Sequence, residues 1–232
     1  MITAIVPARS GSKRLPGKNI KKLAGRPLIF YTIDSVLGHK EISEIIFTTD
    51  SNEYIELAKK EYGNNINYEY RPPEYAEDQV KVYDELRRLV NTNVINTDWY
   101  ILCLPTCPLR NQKIVRDLLN QWKQNHTAIF SAVEYDFPTQ FAFTLSEDNL
   151  GWIPESNNSP MLSGNTRSQE ILKTYRPNGA MYLQHVNNIK NNTLYIDANV
   201  YLMNSEDSID IDTEFDFIMC EHVLSKRKKN DK

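Results

Sequence analysis

Four cations, Arg9, Lys13, Arg14 and Lys18, fall within one short stretch that also carries Gly11, Pro16 and Gly17 and follows the apolar run Ile2-Thr3-Ala4-Ile5-Val6. Small residues and glycines bearing positive charge at the end of a strand make a phosphate cradle, because backbone N–H groups and fixed cations converge there. The two familiar phosphate motifs do not fit. A Walker A loop has four residues between its glycines and then Gly-Lys-Ser/Thr, whereas Gly11 and Gly17 enclose five and are followed by Asn19 after Lys18; Gly-x-Gly-x-x-Gly is missing as well. Far along the chain, Asp210-Ile211-Asp212 alternates as a strand end would, sending both carboxylates to one side. Two hard oxygen donors on one face suit magnesium, which takes one or two protein carboxylates and keeps waters and phosphate oxygens. Taken alone, Asp212 has a plainer role, as the cap of a helix beginning at Thr213.

Other reactive residues form no site by spacing. Cys103 and Cys107 have no second Cys or His pair at metal spacing and read as buried thiols or site lining. His39, His126, His185 and His222 make no array with a serine or cysteine nucleophile, so covalent catalysis has no signature and no general base stands out.

The elements that must position these residues follow from periodicity. The opening strand is followed by a helix over 27–37, a β-branched strand over 44–50, and a helix from Glu53 to Tyr62 that Asp50 or Ser51 caps and Gly63 ends. A weaker strand, 67–70, stops at Arg71-Pro72-Pro73, and a helix resumes over about 80–90. Trp99 to Leu104 reads as a buried strand, stopped by Pro105-Thr106-Cys107-Pro108, with an amphipathic helix over 114–122. Short apolar strands alternating with helices predict an α/β fold of three layers, a mostly parallel sheet with helices on both faces. Ligands of such sheets sit at the carboxyl ends of the strands, which places loops 9–19, 50–51 and 105–110 on one rim.

The alternation breaks over about 130–180, where the aromatic run Phe137 to Phe143 fits a small insertion that serves as a lid, a subunit contact or a plain hairpin. A strand over 199–203 and a helix from Thr213 to about Leu224 close one domain spanning 1–232, and 226–232 reads as a frayed basic tail.

The 232 residues, 41% of them hydrophobic, suffice for one sizeable core. Lys and Arg total 27 against 30 Asp and Glu, a net charge of -3, so nothing global points to nucleic acid or an anionic membrane surface. Three cysteines, no signal-like leader and no apolar stretch of about 18 residues predict a cytoplasmic location.

Five segments, in order, carry a resemblance. Pro7 to Asn19, Arg71-Pro72 with Ala76 and Asp78, Leu104-Pro105-Thr106-Cys107-Pro108-Leu109-Arg110, Tyr175-Arg176-Pro177-Asn178-Gly179-Ala180-Met181-Tyr182, and Ser208 to Asp216 resemble the motifs of the acylneuraminate cytidylyltransferases, the CMP-sialic acid synthetase family with its legionaminic and pseudaminic acid relatives. The resemblance implies a nucleotide-diphospho-sugar transferase fold, Rossmann-like, and transfer of CMP from CTP to the anomeric hydroxyl of a nine-carbon ulosonic acid, with pyrophosphate released and Mg2+ assisting. It implies a homodimer whose insertion reaches the partner's sugar pocket.

Residue by residue, the resemblance puts Arg9 and Lys18 on the triphosphate with Ser12, Lys13 and Asn19 in support, Arg71 and Asp78 near base and ribose, and Asp210 and Asp212 on the metal. Arg9, Lys18 and Asp212 are the catalytic set. Arg176 is the candidate for the sugar carboxylate, since a guanidinium meets a carboxylate through two parallel hydrogen bonds. Asn178, Tyr182, Arg167, Gln169 and Leu104 complete the implied sugar site. Two positions depart from the pattern: Ser168 stands where an arginine is usual, and Leu104 where sialic-acid enzymes commonly carry glutamine. Losing an amide changes which sugar substituents are accepted. Two alternatives stand beside this reading: an enzyme for another sugar acid such as the eight-carbon Kdo, and a noncatalytic nucleotide-binding protein, which predicts loss of the metal carboxylates.

Overall fold

The computed structural model describes residues 1–164, 167–191, 193 and 195–230. Strand β1 (Ile2–Pro7) is buried at every residue, as a central strand covered on both faces must be. Ile2, Ala4 and Val6 face one helical layer and Ile5 the other. The glycine loop then runs through a two-residue ribbon, β2 (Lys22–Leu23) with β3 (Arg26–Pro27), into α1 (Leu28–Val36). β4 (Ile42–Thr49) leads to α2 (Asn52–Tyr62), where Ser51 is the cap, its hydroxyl accepting from the Tyr54 N–H at 3.3 Å, and Gly63 ends the helix at φ 54°. β5 (Asn67–Tyr70), α3 (Val82–Asn91), β6 (Trp99–Cys103), α4 (Gln112–Asn125) and β7 (Ile129–Glu134) continue the alternation.

The chain leaves the main sheet after Glu134 and re-enters at Tyr175. Between them, β8 (Phe143–Leu145) and β9 (Trp152–Pro154) pair as a separate antiparallel hairpin with Phe143, Trp152 and Ile153 exposed. β10 (Tyr175–His185), α5 (Val186–Asn191), β11 (Asn199–Leu202) and α6 (Glu214–Asn230) complete the described chain.

The seven-stranded sheet has the order β11-β7-β10-β6-β1-β4-β5, and every neighbouring pair is parallel except those made by β10. One face is covered by α1, α2 and α4 and the other by α3 and α5, giving the expected three layers. α6 packs elsewhere, on Leu15, Leu23, Leu28, Leu109 and Ile211, which makes an apolar base under the charged loops.

Three expectations change in extent. Residues 129–134 and 175–180 are sheet strands; the Pro177-Asn178-Gly179 turn interrupts the pairing of β10 with β7 and hides its strand pattern. Residues 210–212 belong to no ladder, although Ile211 is fully buried and its N–H donates to Thr106 O at 2.8 Å. The expected tail is helical through Asn230, because Arg227 pairs with Asp207 at 2.5 Å and reaches Leu109 O, while Asp231 and Lys232 lie outside the described residues.

Arg110 joins three elements at the sheet's carboxyl edge. It is 1% exposed, and its guanidinium donates from Nε to Ser35 Oγ at 3.2 Å and from Nη1 to Ala180 O at 2.5 Å and Leu104 O at 3.4 Å. Replacing Arg110 by Met removes a charged donor from these buried acceptors, and a loss of about 2–4 kcal/mol is expected from the urea midpoint. A midpoint equal to wild type would show that the junction is held by packing alone.

Candidate active site

The carboxyl ends of β1, β4 and β6 lie side by side, and the loops leaving them meet as expected. Asp50, just beyond β4, accepts from the Ser10 backbone N–H and hydroxyl, each at 2.7 Å, and so fastens the glycine loop to the next strand. Asn19 Nδ2 donates to Arg9 O at 2.8 Å and closes the loop's base. Leu15, buried among Ile211 and the α6 side chains, pins its middle. A loop tied at three points holds its cations over a cavity of about 450 Å³.

That cavity is lined by Arg9, Ser12, Lys13, Lys18, Asn19, Arg71, Asp78, Leu104 and Asp212 among the residues the sequence singles out. Arg14, Val82, Pro105 and Thr106 line it too. The cations form two groups around carboxylates from other loops. Arg9 Nη1 lies 2.9 Å and Lys13 Nζ 2.5 Å from Asp78, while Arg14 Nη1 lies 2.8 Å and Lys18 Nζ 3.5 Å from Asp212. Hydrogen bonding from Lys13 and then Arg9 holds the Asp78 carboxyl below its ordinary range. Lys18 is nearly buried and donates to Ile211 O at 2.5 Å, so its charge acts with little screening by water.

Arg71 is buried at the cavity wall. Its Nε stands 3.9 Å from Glu85 Oε2 and has no hydrogen-bond partner, and burial draws its pKa down. Glu85 is itself fully buried and held by Thr48 Oγ1 at 2.6 Å and by Arg88 at 2.8 and 2.9 Å. Sequence patterning gave no sign of Glu85, since a carboxylate inside a helix ordinarily faces water.

Asp212 does not cap α6. The cap is Thr213 with Asp216: Asp216 Oδ2 accepts from the N–H groups of Asp212 and Thr213 at 3.0 and 2.7 Å and from the Thr213 hydroxyl at 2.8 Å. The Asp212 carboxylate is therefore left to the cavity. Asp210 is pushed above its ordinary pKa by burial, offset by a Thr106 hydrogen bond; Asp212 raises it further, and Lys18 and Arg176 oppose the rise. Burial and a neighbouring carboxylate together disfavour its charge, a condition that a bound cation relieves.

The implied sugar residues are not all gathered there. Gly179, at φ 76°, brings its turn against β6: a Cβ added to it would lie 3.6 Å from Leu104 Cδ1 and 3.9 Å from Asp210 Oδ2. Arg176 is exposed but within electrostatic reach of Asp210. Asn178 faces inward, accepting from Ser131 Oγ at 2.6 Å and donating to Ser208 Oγ at 2.9 Å, so it shapes the turn. Tyr182 and Leu104 are both half-buried against the core layer that Ile5 faces, and Tyr182 stands near Tyr195. Arg167 and Gln169 are exposed at the short turn 168–170 and do not line the cavity. Cys107 donates its thiol to Asn178 O, and burial pushes its pKa up to about 12, which keeps it protonated.

Residues 3–219 match the family described as Cytidylyltransferase. The chain is 34% identical over 183 residues to the pseudaminic acid cytidylyltransferase of Campylobacter jejuni subsp. jejuni serotype O:23/36, covering 77% of this chain and 75% of that protein. It is 30% identical over 230 residues to the CMP-N,N'-diacetyllegionaminic acid synthase of Legionella pneumophila, covering 96% of each, and 31% identical to the N-acylneuraminate cytidylyltransferase of Streptococcus agalactiae serotype V, covering 95% of this chain and 52% of that protein. The solved CMP:2-keto-3-deoxy-manno-octonic acid synthetase complexed with CTP has the same fold, with a TM-score of 0.70 at 16% identity, over 98% of this chain and 100% of that one.

The cap beneath Asp212 has a pH signature. Burial raises the Asp216 pKa, but hydrogen bonds from the Thr213 side chain and the Thr213 and Asp212 N–H groups outweigh it and hold the carboxyl below its ordinary value. Such a group stabilises the fold above its unfolded pKa, and the contribution disappears as pH falls through the folded pKa. Asp216→Ala is expected to cost about 1 kcal/mol at neutral pH, in urea melts, with the difference from wild type shrinking on acidification.

Proposed function

Because the chain belongs to the cytidylyltransferase family, we propose that this cavity binds CTP and transfers CMP to the anomeric hydroxyl of a nine-carbon ulosonic acid, releasing pyrophosphate. The observation that carries the site assignment is the convergence of Arg9, Lys13, Arg14 and Lys18 on the cavity that Asp212 enters from the opposite loop.

In this reading Arg9, Lys13 and Arg14 neutralise the outer phosphates, and Ser12 and Asn19 support the loop. Lys18, nearly free of solvent, stabilises negative charge that grows on the phosphates as the sugar oxygen attacks the α-phosphate and pyrophosphate departs. Arg71, with Nε unpartnered, takes the base or ribose. Asp212 in the cavity and Asp210, largely buried beside it and outside the lining, offer hard oxygens from one irregular segment, and a magnesium ion held by them would take its other ligands from phosphate and water. Bound there, magnesium would supply positive charge to the reacting phosphate.

Arg176 meets the sugar carboxylate, and Leu104, packed against the Gly179 turn, presents an apolar wall where an amide would form hydrogen bonds. That wall favours a sugar whose facing substituent needs no hydrogen-bond partner. The exposed Phe143, Trp152 and Ile153 of the β8-β9 hairpin, with Phe137, support a homodimer contact through the insertion. Three buried free cysteines accord with a cytoplasmic site of action, and among the described residues no helix is long and apolar enough to cross a membrane.

Pyrophosphate release with CTP, magnesium and a panel of pseudaminic, legionaminic and N-acetylneuraminic acids and Kdo tests the substrate class. Turnover of at least one nine-carbon acid is expected, and turnover of Kdo alone overturns the nine-carbon assignment. In the same assay Lys18→Ala lowers kcat by about 100-fold. Arg176→Ala raises the sugar KM by about 10-fold with the CTP KM held, and an unchanged sugar KM removes Arg176 from the site.

A further inference from the structure

Asp78 stands between two of the loop's cations with both carboxylate oxygens engaged. Its Oδ1 accepts from Arg9 Nη1 at 2.9 Å and its Oδ2 meets Lys13 Nζ at 2.5 Å. All three side chains line the same cavity. Each oxygen is turned to a donor that a triphosphate would use, so the carboxylate and a bound phosphate would share the same two cations.

We infer that Asp78 is a phosphate placeholder: a positioning residue that holds Arg9 and Lys13 over the cavity and surrenders them to the nucleotide's phosphates. The inference rests on the phosphate site proposed above and assigns Asp78 to the loop's counter-charge instead of to base and ribose. Two observations favour exchange at this carboxylate. First, its ion pairs are accessible, with the side chains of Arg9, Lys13 and Asp78 37%, 79% and 40% exposed, and ion pairs of that kind are weak enough to yield to a more highly charged anion. In the Asp212 group Arg14 is 71% exposed, but Lys18 is only 10% exposed and carries a second bond to Ile211 O, so one cation of that group is fixed where neither partner of Asp78 is. Second, Asp78 lies in a turn between the short helix Pro73–Tyr75 and α3, outside any helix or strand, and can withdraw without breaking regular structure.

The placeholder has a physical purpose. Arg9 and Lys13 repel one another when the cavity is empty, and a shared carboxylate keeps them converged; once phosphates occupy it, the same carboxylate is a like charge at close range and is driven off. Asp78 thus competes with phosphate for the same donors, and removing its charge strengthens phosphate binding.

Isothermal titration of inorganic tripolyphosphate, CTP and cytidine into the full chain and into Asp78→Asn and Asp78→Glu tests this. Asp78→Asn is expected to bind tripolyphosphate and CTP about 3- to 10-fold more tightly, to leave cytidine affinity as in wild type, and to melt normally; Asp78→Glu, which keeps the charge, returns to wild-type affinities. A weaker affinity of Asp78→Asn for CTP and cytidine with tripolyphosphate unchanged would place Asp78 on the ribose or base and overturn the inference. So would equal affinities of Asp78→Asn and wild type for all three ligands. Tripolyphosphate needs no cytidine site, so its response judges Asp78 even where failure of the wild type to bind CTP has removed the proposed nucleotide.

Discussion

Four positive charges between Arg9 and Lys18 must be held together before any anion arrives, and the architecture around the cavity answers that constraint. Mutual repulsion would splay an unsupported loop. Here Ser10 is tied to Asp50, Asn19 to Arg9 O, and Leu15 is sunk among Ile211, Leu109 and the inner face of α6. Asp78 and Asp212 then divide the cations into two groups. Burial of an apolar residue inside a cationic loop is what converts a stretch that would otherwise be solvated into a shaped surface.

The same logic reaches the far loops. Ile211 is buried in the base that holds Leu15, so the glycine loop and the carboxylate segment share one foundation, and Asp210 and Asp212 flank that anchor. Arg110 does the corresponding work across the sheet, bonding to the carbonyls of Leu104 and Ala180 and so linking the end of β6 to the turn of β10. β10 runs antiparallel to both neighbours, which brings the Arg176 to Gly179 turn to the rim where the parallel strands end. An α/β sheet that binds at its carboxyl edge gains there a loop that a purely parallel sheet would lack.

Family membership and the fold account for the reaction class more directly than for the sugar. The cationic side of the cavity is built from charge, which tolerates variation in exact partner. In the proposed reading sugar selection depends on single contacts, and Leu104 against the Gly179 turn is the kind of contact that changes preference without changing chemistry. Relatives bearing pseudaminic, legionaminic and N-acylneuraminate names at similar identity illustrate how one scaffold carries several specificities.

Local chemistry made the opening strand and loop, the βα units as far as α4, and the unusual glycine spacing legible without coordinates, since each depends on periodicity, caps and breakers within a few residues. Four of the five motifs likewise contain residues that line the cavity, from the loops after β1, β5 and β6 and from the segment before α6. What the chain could not state by itself was partnership. Whether Asp212 caps a helix or enters a cavity turned on Thr213 and Asp216 taking the cap; whether Asn178 faces a ligand or the core turned on Ser131 and Ser208; and Asp78 became a counter-ion only when folding set it beside Arg9 and Lys13. Glu85 and Arg110 were silent for the same reason, because a charged residue declares itself buried only through neighbours that lie distant in sequence. Secondary structure follows from short-range sterics and hydrogen bonding, whereas the choice of partner for a charge depends on long-range packing that decides which groups lose their water together.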